Sequence, residues 1–444
     1  MSGKNNSGWK KECKQPSLPE VYRSIEIPEH NSWLKKFLAF AGPGYLIAVG
    51  YIDPGNWSTG LEGGSKYHYS LLSVILISNI FAMIFQALSG KLGIVTGRDL
   101  AQACRDHYSK PVTIMLWILC EIAIAACDMA ELIGSAIALQ ILFGIPLFWG
   151  IIITSLDIMV LLFLQNKGFR YIEILVISLV SLIGVCFLIE MFIIKPDLNN
   201  VVNGLIPTKQ LLFDKDMLYL GIAILGATVM PHNLYLQSSI VQTRRFPKTN
   251  TGKKMALRYS MWDTNIALIF AFFINAAILI MSAAVFFDKN IIVDNFRMAH
   301  QLFAPILETS VASSLFAIAL LASGQSSTLT GTMAGQIVME GFLDIKLKPW
   351  LRRLLTRSLA VIPTIIIIWN YDNISTIKLL NFSQIILSMQ LPFAVIPLIL
   401  FTNDRKKMGL FVNRFYLKVI GWIVALIIVS LNLWIVYKEL FLDA

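Results

Sequence analysis

Long apolar stretches recur along the chain and are separated by short polar segments. A window of about 19 residues, the length that crosses a bilayer as a helix, identifies eleven such stretches. They lie near residues 40–60, 71–95, 111–140, 147–165, 171–194, 216–241, 261–287, 307–340, 355–370, 376–402 and 416–437. The pattern predicts an all-α integral membrane protein with about eleven transmembrane helices.

The first and sixth stretches carry the same interruption, x-Pro-x-Asn, at residues 53–56 (Asp-Pro-Gly-Asn) and 230–233 (Met-Pro-His-Asn). Proline has no backbone N–H, so each proline frees the carbonyl four residues earlier, on Gly50 and on Ala227. A single proline often does no more than kink a membrane helix. Two matching interruptions, one with an intramembrane Asp, instead predict helices broken near the middle of the bilayer, as at transporter binding sites.

The two broken helices also indicate how the chain is organised. Five stretches separate equivalent points of the two interruptions, and the two broken stretches cross the membrane in opposite directions. This arrangement predicts a 5+5 inverted repeat, with repeats at about 39–195 and 216–402 and an extra helix at about 416–437. Residues 1–38 are polar and basic, and we expect a cytosolic tail there in front of a transmembrane transport domain at 39–444.

Composition and charge support a membrane protein and indicate its orientation. Of the 444 residues, 56% are hydrophobic and 14% are charged, which excludes an ordinary soluble domain. Most of the 37 Lys and Arg fall in alternate loops. This bias predicts a multi-pass protein of the cell membrane with a cytoplasmic N-terminus and an extracellular C-terminus. The net charge of +10 then indicates contact with anionic lipid and not a nucleic-acid partner.

The groups that the two breaks offer a ligand suit a divalent transition metal ion. An ionised carboxylate such as that of Asp53 is unfavourable by about 3 kcal/mol at mid-membrane depth unless it pairs or binds a cation. Asn56 adds an amide oxygen, and Ala227 adds a freed carbonyl. Met230 adds a thioether sulfur, which Mg²⁺ and Ca²⁺ do not seek but Mn²⁺, Fe²⁺, Co²⁺ and Cd²⁺ accept. Taken alone, a methionine in a membrane helix is ordinarily a packing residue.

Several motifs together resemble the Nramp family of proton-coupled divalent metal ion transporters. They are GPGYLIAVGYIDPGNW (42–57), CEIAIAACDMAEL (120–132), ATVMPHNLYL (227–236), GQSSTLTGTMAGQ (324–336), WLRRLLTR (350–357) and SQIILSMQLPFAVIPL (383–398). The resemblance implies a leucine-transporter-type fold, alternating access, and metal ligands at Asp53, Asn56, the Ala227 carbonyl and Met230. It also implies that Gln384 approaches the ion, and that His232 lies beside the ion without binding it.

Proton coupling needs titratable groups near the ion. Glu121, Asp128 and Glu131 share one face of the third stretch. Arg352 and Arg353 open the ninth stretch, and the resemblance assigns such a carboxylate–arginine network to the proton route. A purely structural lattice of ion pairs is the alternative. His232 is a further proton acceptor or gating residue by its chemistry.

Two details of the sequence leave alternatives open. The family often continues MPHNLYL with histidine, whereas this chain has Gln237, which leaves any proton role of that second histidine in doubt. Five hydroxyl residues of the eighth stretch either hydrate a path or bond to their own helix. They are Ser326, Ser327, Thr328, Thr330 and Thr332.

These observations predict a secondary transporter that imports Mn²⁺ or Fe²⁺, and also Co²⁺ or Cd²⁺, together with protons. It is not expected to be an enzyme or to hold a cofactor. The alternatives are a Mg²⁺ transporter of the same fold, which Met230 disfavours, and a Na⁺-coupled amino-acid carrier, which would not need Asp53 with Met230. An ion channel would show a filter of carbonyls or charged rings, and no such pattern is visible in the sequence.

Overall fold

Helices make up almost all of the described chain. The computed structural model describes residues 8–11, 15–16, 18–28, 32–156, 167–307, 310–344, 349–370 and 375–441. The α-helices are α1 (Trp33–Phe40), α2 (Pro43–Gly50), α3 (Pro54–Tyr67), α4 (Leu72–Thr96), α5 (Leu100–His107), α6 (Lys110–Phe143), α7 (Leu147–Ser155), α8 (Phe169–Ile194), α9 (Leu198–Gly204), α10 (Gln210–Phe213), α11 (Lys215–Thr228), α12 (Pro231–Ile240), α13 (Asn250–Phe286), α14 (Phe296–Leu307), α15 (Ser310–Leu343), α16 (Pro349–Asn370), α17 (Thr376–Asn403), α18 (Arg405–Met408) and α19 (Phe415–Phe441). Short 3₁₀ helices follow at Val241–Thr243, Phe287–Lys289 and Gly409–Phe411.

Seven helical segments of the described chain are long and apolar enough to cross a membrane. They are α4, α6, α8, the pair α11 and α12, α13, α17 and α19. The helices α15 and α16 lie at the eighth and ninth predicted stretches, and α2 with α3 lies at the first. The fourth stretch begins with α7, and its residues 157–166 lie outside the described residues. The count of eleven crossings stays a prediction.

Both predicted breaks are present in the fold. The first separates α2 from α3 at Tyr51, Ile52 and Asp53, and the second separates α11 from α12 at Val229 and Met230. A proline occupies the first turn of each following half-helix, where a missing N–H costs nothing. The residue in front of each proline is the N-cap, so Asp53 and Met230 hold equivalent positions in the two repeats.

The broken helices lie at the centre of the helix packing. Helix α13 runs along α2, α3 and α4, while α15 runs along α6 and α8. Helix α17 packs on α11, α3 and α6, which closes the remaining side. Every residue between α2 and α3 and between α11 and α12 is therefore buried. Groups freed at the breaks face protein, as unpaired backbone at membrane depth requires.

The N-terminal segment packs on the transmembrane helices, although the sequence predicted only a polar tail. Trp9, Leu18, Val21 and Ile27 are buried. A two-residue strand β1 (Ile25–Glu26) pairs in parallel with β2 (Arg244–Arg245), which is the one sheet among the described residues. We call the side of the molecule at which residues 8–28 lie the tail face. The domain boundary at residue 38 stays a prediction.

Candidate functional site

The two breaks contact each other through a reciprocal pair of asparagines. Asn56 Nδ2, two residues after the first proline, donates to the carbonyl of Ala227 at 2.9 Å. Asn233, two residues after the second proline, packs on Gly50, where an added Cβ would lie 2.3 Å from Asn233 Nδ2. Ala227 and Gly50 each precede a proline by four residues, so each asparagine contacts the equivalent residue of the other break, although only Asn56 hydrogen-bonds to its carbonyl. The carbonyl of Ala227 is indeed available to a side chain, as the sequence predicted.

Asp53 places a carboxylate between the two half-helices of the first break. Its side chain is fully buried. Oδ1 accepts from the backbone N–H of Asn56 at 2.9 Å and from Asn56 Nδ2 at 2.7 Å. Oδ2 is buried and has no hydrogen-bond partner among the described residues. Since a buried carboxylate is stable only when paired, hydrogen-bonded or bound to a cation, Oδ2 is open to a cation.

The amide nitrogen of Asn56 bridges the carboxylate of Asp53 and the carbonyl of Ala227. Both oxygens therefore converge on one point, at which a cation would meet the same two acceptors. On the other side, Asn275 Nδ2 lies 3.4 Å from Asn56 Oδ1 and donates to the Tyr51 carbonyl at 2.6 Å. In this orientation the Asn56 nitrogen, and not its oxygen, faces this point, so the amide would have to turn before its oxygen could meet a cation there. Asn275 is thus a positioning residue that the sequence alone did not single out.

Met230 and Gln384 complete the set of predicted ligands. Met230 is fully buried, and its Sδ lies 3.7 Å from Asn233 Nδ2, a weak hydrogen bond that leaves the sulfur available. Gln384 of α17 packs directly on Gly55, where an added Cβ would lie 1.9 Å from Nε2. Its Nε2 donates to Ser383, while Oε1 is buried without a partner in the described part of the chain. The structure thus brings Gln384 against the first turn of α3, beside Asp53.

The predicted proton groups fall in two places. Asp128 and Glu131 are buried and converge on Gly331 of α15, where an added Cβ would lie 2.8 Å from Asp128 Oδ1 and 3.4 Å from both Glu131 oxygens. Glu121 lies about two turns earlier on α6, is only partly buried, and accepts from Trp117 Nε1 at 2.8 Å. The structure therefore groups two of the three carboxylates and leaves the third nearer the surface.

The remaining residues that the sequence analysis considered for proton transfer have different surroundings. His232 is 2% exposed, and its Nδ1 has no partner among the described residues. Gln237, where the family often has histidine, donates to Thr264 Oγ1 at 2.9 Å. Arg352 and Arg353 lie in the first turns of α16, but their side chains lie outside the described residues.

The hydroxyl groups of the eighth stretch bond mainly to their own helix. Ser326, Ser327, Thr328 and Thr330 each donate to a carbonyl three or four residues earlier in α15. This geometry supports the packing interpretation for those four side chains. Ser323, which the sequence did not single out, instead crosses to the first break and donates to the carbonyl of Ile52 at 2.5 Å.

An ionic network holds the start of α2 at the tail face, and the sequence did not predict it. Arg244 and Glu173 form a pair at 2.6 Å with 0% and 1% of their side chains exposed. Arg244 also donates to the carbonyls of Phe40 and Ala41 at 2.9 and 2.8 Å. Asp263 of α13 accepts from the backbone N–H groups at positions 42 and 44, at 3.1 and 2.6 Å. Acidic residues inside apolar stretches were the available signal for Glu173 and Asp263.

The fold and the site define a class of protein, namely a membrane transporter with two broken helices at its centre. The chain belongs to the Nramp family, because the family model described as natural resistance-associated macrophage protein-like matches residues 44–438. A protein from Nostoc sp. named divalent metal cation transporter MntH is 58% identical over 427 residues, covering 96% of this chain and 97% of the relative. The protein of the same name from Listeria monocytogenes is 56% identical over 440 residues, covering 98% of each chain.

Solved structures support the same assignment. A crystal structure of the Eremococcus coleocola manganese transporter, in complex with an aromatic bis-isothiourea compound, is 42% identical with a TM-score of 0.88. It matches 94% of this chain and 90% of its own. Mhp1, a nucleobase-cation-symport-1 family transporter, is 13% identical with a TM-score of 0.63 over 97% of this chain and 96% of its own, a likeness of fold alone. The predicted leucine-transporter-type fold and family resemblance are confirmed.

Proposed function

We propose that this protein is a secondary transporter that imports Mn²⁺ and Fe²⁺ together with protons. The observation that carries the proposal is the convergence of a buried carboxylate and a freed carbonyl from opposite breaks, with a thioether beside them. The names of the relatives, divalent metal cation transporter and manganese transporter, support a divalent metal ion as the substrate. These names describe transporters, which agrees with the prediction that the chain is not an enzyme.

Each proposed ligand has a distinct part in binding the substrate. Asp53 supplies the negative charge, and its carboxylate accepts the ion through Oδ2, which is open, and through Oδ1 once the Asn56 amide has turned. Ala227 supplies a neutral oxygen from the second repeat, and Asn56 supplies another once its amide has turned. Met230 supplies a soft sulfur ligand. Because Mg²⁺ and Ca²⁺ would keep their bound water in preference to sulfur, this ligand favours Mn²⁺ and Fe²⁺. Gln384 reaches the same half-helix from α17.

Proton coupling follows from competition for the carboxylate of Asp53. This group does not hold a proton and a metal ion together comfortably, so arrival of the ion releases any bound proton. His232 lies two residues from Met230 and has an open nitrogen. Asp128 and Glu131 form a pair of carboxyl groups further along. We propose that these residues, with Glu121 and the arginines Arg352 and Arg353, take up the released proton.

We also propose a location and an orientation. The charge bias of the loops supports a plasma-membrane protein with its N-terminus in the cytoplasm and its C-terminus outside. The tail face would then be the cytoplasmic face. The ionic network at the start of α2 would close the route from the metal site to the cytoplasm.

The experiment is metal uptake into proteoliposomes that contain the purified protein and a luminal pH dye. We expect Mn²⁺ and Fe²⁺ to enter with acidification, while Mg²⁺ and Ca²⁺ neither enter nor compete. Asn56→Ala should lower Mn²⁺ uptake because it removes a proposed ligand, and Asn200→Ala, which removes an exposed asparagine of α9, is its matched control and should not. Uptake of Mg²⁺ at the rate of Mn²⁺ would favour the Mg²⁺ transporter instead. Mn²⁺ uptake with no proton movement would refute the coupling.

A further inference from the structure

A basic cavity opens at the tail face, away from the metal site. It has a volume of about 130 Å³ and lies between the N-terminal segment, the end of α4 and the start of α13. Four basic side chains line it, and no Asp or Glu of the described residues does. They are Arg23, Arg244, Lys248 and Lys253.

Within the described part of the chain, three of these four charges are not neutralised by a carboxylate. Arg244 is paired with Glu173. Arg23 donates to the carbonyl of Phe246 at 2.8 Å, and Lys253 donates to the carbonyl of Val95 at 2.8 Å. These contacts use neutral acceptors and occupy only part of the donor capacity of each side chain. The cavity therefore presents several N–H donors and uncompensated positive charge, which is the environment that binds a phosphate group.

Two further observations indicate a preorganised binding site and not a chance grouping of surface lysines. Arg23 has a φ of +54°, a left-handed conformation that is uncommon for a residue with a side chain and that occurs at ligand clamps. Gln242 lines the same cavity, is 5% exposed, and its amide oxygen is buried without a partner among the described residues. Such an acceptor suits a hydroxyl group on the ligand.

We propose that this cavity binds a hydroxyl-bearing phosphate group, which the cations of Arg23, Lys248 and Lys253 hold and the Gln242 oxygen orients. Two sources have this chemistry. One is the headgroup of an anionic lipid such as phosphatidylglycerol, and the other is free inorganic phosphate. Because Arg23 belongs to the N-terminal segment and Lys253 to α13, the bound group would fasten that segment to the transmembrane helices.

The test measures binding to the purified, delipidated full-length protein in a neutral detergent. One arm uses radiolabelled inorganic phosphate, and the other uses native mass spectrometry with phosphatidylglycerol against phosphatidylcholine. We expect one phosphate or one phosphatidylglycerol for each chain. The double variant Lys248→Ala/Lys253→Ala should bind about tenfold more weakly or worse, since it loses two charge-assisted contacts. Binding in the first arm alone identifies free phosphate, and binding in the second alone identifies the lipid headgroup.

The matched control is Lys254→Ala/Arg258→Ala, which removes the same charge from exposed positions of α13 that do not line the cavity. It should retain wild-type binding. Lys248→Ala alone tests the proposal without risk to the fold, because Lys248 is exposed and makes no hydrogen bond or ion pair within the described residues. The proposal is overturned if neither probe binds, if both double variants weaken equally, or if Lys248→Ala leaves the affinity unchanged.

Discussion

Glu173→Gln is expected to release the start of α2 at the tail face. Removing one member of a buried ion pair costs about 3 to 5 kcal/mol, because the other charge stays buried and uncompensated. Arg244 keeps its bonds to the carbonyls of Phe40 and Ala41, at 2.9 and 2.8 Å, so we expect about 2 to 3 kcal/mol of that cost to remain. This free-energy cost applies only to conformations in which Arg244 and residue 173 lie together. The equilibrium should therefore shift toward an open tail face by about 30- to 150-fold.

The assay is the reaction rate of a cysteine placed in α2. Ala48 is 1% exposed, so Ala48→Cys, in a variant without native cysteines, should react slowly with a membrane-impermeant thiol reagent added at the tail face. Glu173→Gln should accelerate that reaction. Glu26→Gln is the matched control, because the Glu26–Arg245 pair has a similar length, 2.5 Å, but its side chains are 76% and 60% exposed. Such an exposed pair contributes only about 0 to 1 kcal/mol.

Two outcomes would count against this reasoning. Equal labelling rates in the two glutamine variants, with thermal stability unchanged, would show that the buried pair does not hold α2 closed. Faster labelling of Glu173→Gln with general loss of folding, seen as an aggregated elution profile, would show that the pair stabilises the whole fold instead. A selective acceleration in a monodisperse protein supports the gating role.

Three further predictions concern the metal site and the proton groups. Asp53→Ala should abolish Mn²⁺ uptake into proteoliposomes with expression and elution unchanged, and near wild-type uptake would show that the site is wrongly assigned. Met230→Ala should weaken the apparent Mn²⁺ affinity about tenfold, or 1.4 kcal/mol, and let Ca²⁺ or Mg²⁺ compete, whereas unchanged competition curves would leave Met230 a packing residue. His232→Ala and Asp128→Asn should keep metal binding, measured by calorimetry, but reduce acidification for each Mn²⁺ imported; unchanged proton flux in both variants would exclude the relay.

The breaks and their chemistry were predictable from sequence because proline acts locally. A proline at the start of a half-helix fixes which carbonyl is freed, so Ala227 could be identified without a structure. The shared x-Pro-x-Asn pattern also put Asp53 and Met230 at equivalent positions, which are N-caps in the structure. Gln384 depended on the family resemblance, because nothing in its own segment shows that α17 packs against Gly55. The roles of these residues in transport stay predictions.

The network and the docked segment were not predictable because both depend on distant contacts. Arg244 and Glu173 are 71 positions apart, and only the tertiary fold, which places α8 with Glu173 beside β2 with Arg244, brings them together. Trp9 and Leu18 are isolated apolar residues in a polar segment, without the periodicity that reveals a helix or strand. The hydroxyl residues of α15 had two equal interpretations, and hydrogen bonds distinguished them for four of the five.

The reciprocal asparagines bear on how a carrier of this kind completes its cycle. A secondary transporter must return to its starting state after it has released its cargo, and an exposed pair of acceptor oxygens at mid-membrane depth would oppose that return. Asn56 offers two N–H groups to the same oxygens of Asp53 and Ala227 that a metal ion would bind. One side chain can thus replace the ion as the link between the repeats. The amide keeps these two oxygens hydrogen-bonded while the unloaded carrier returns, whereas neutralising the charge of Asp53 still requires a proton.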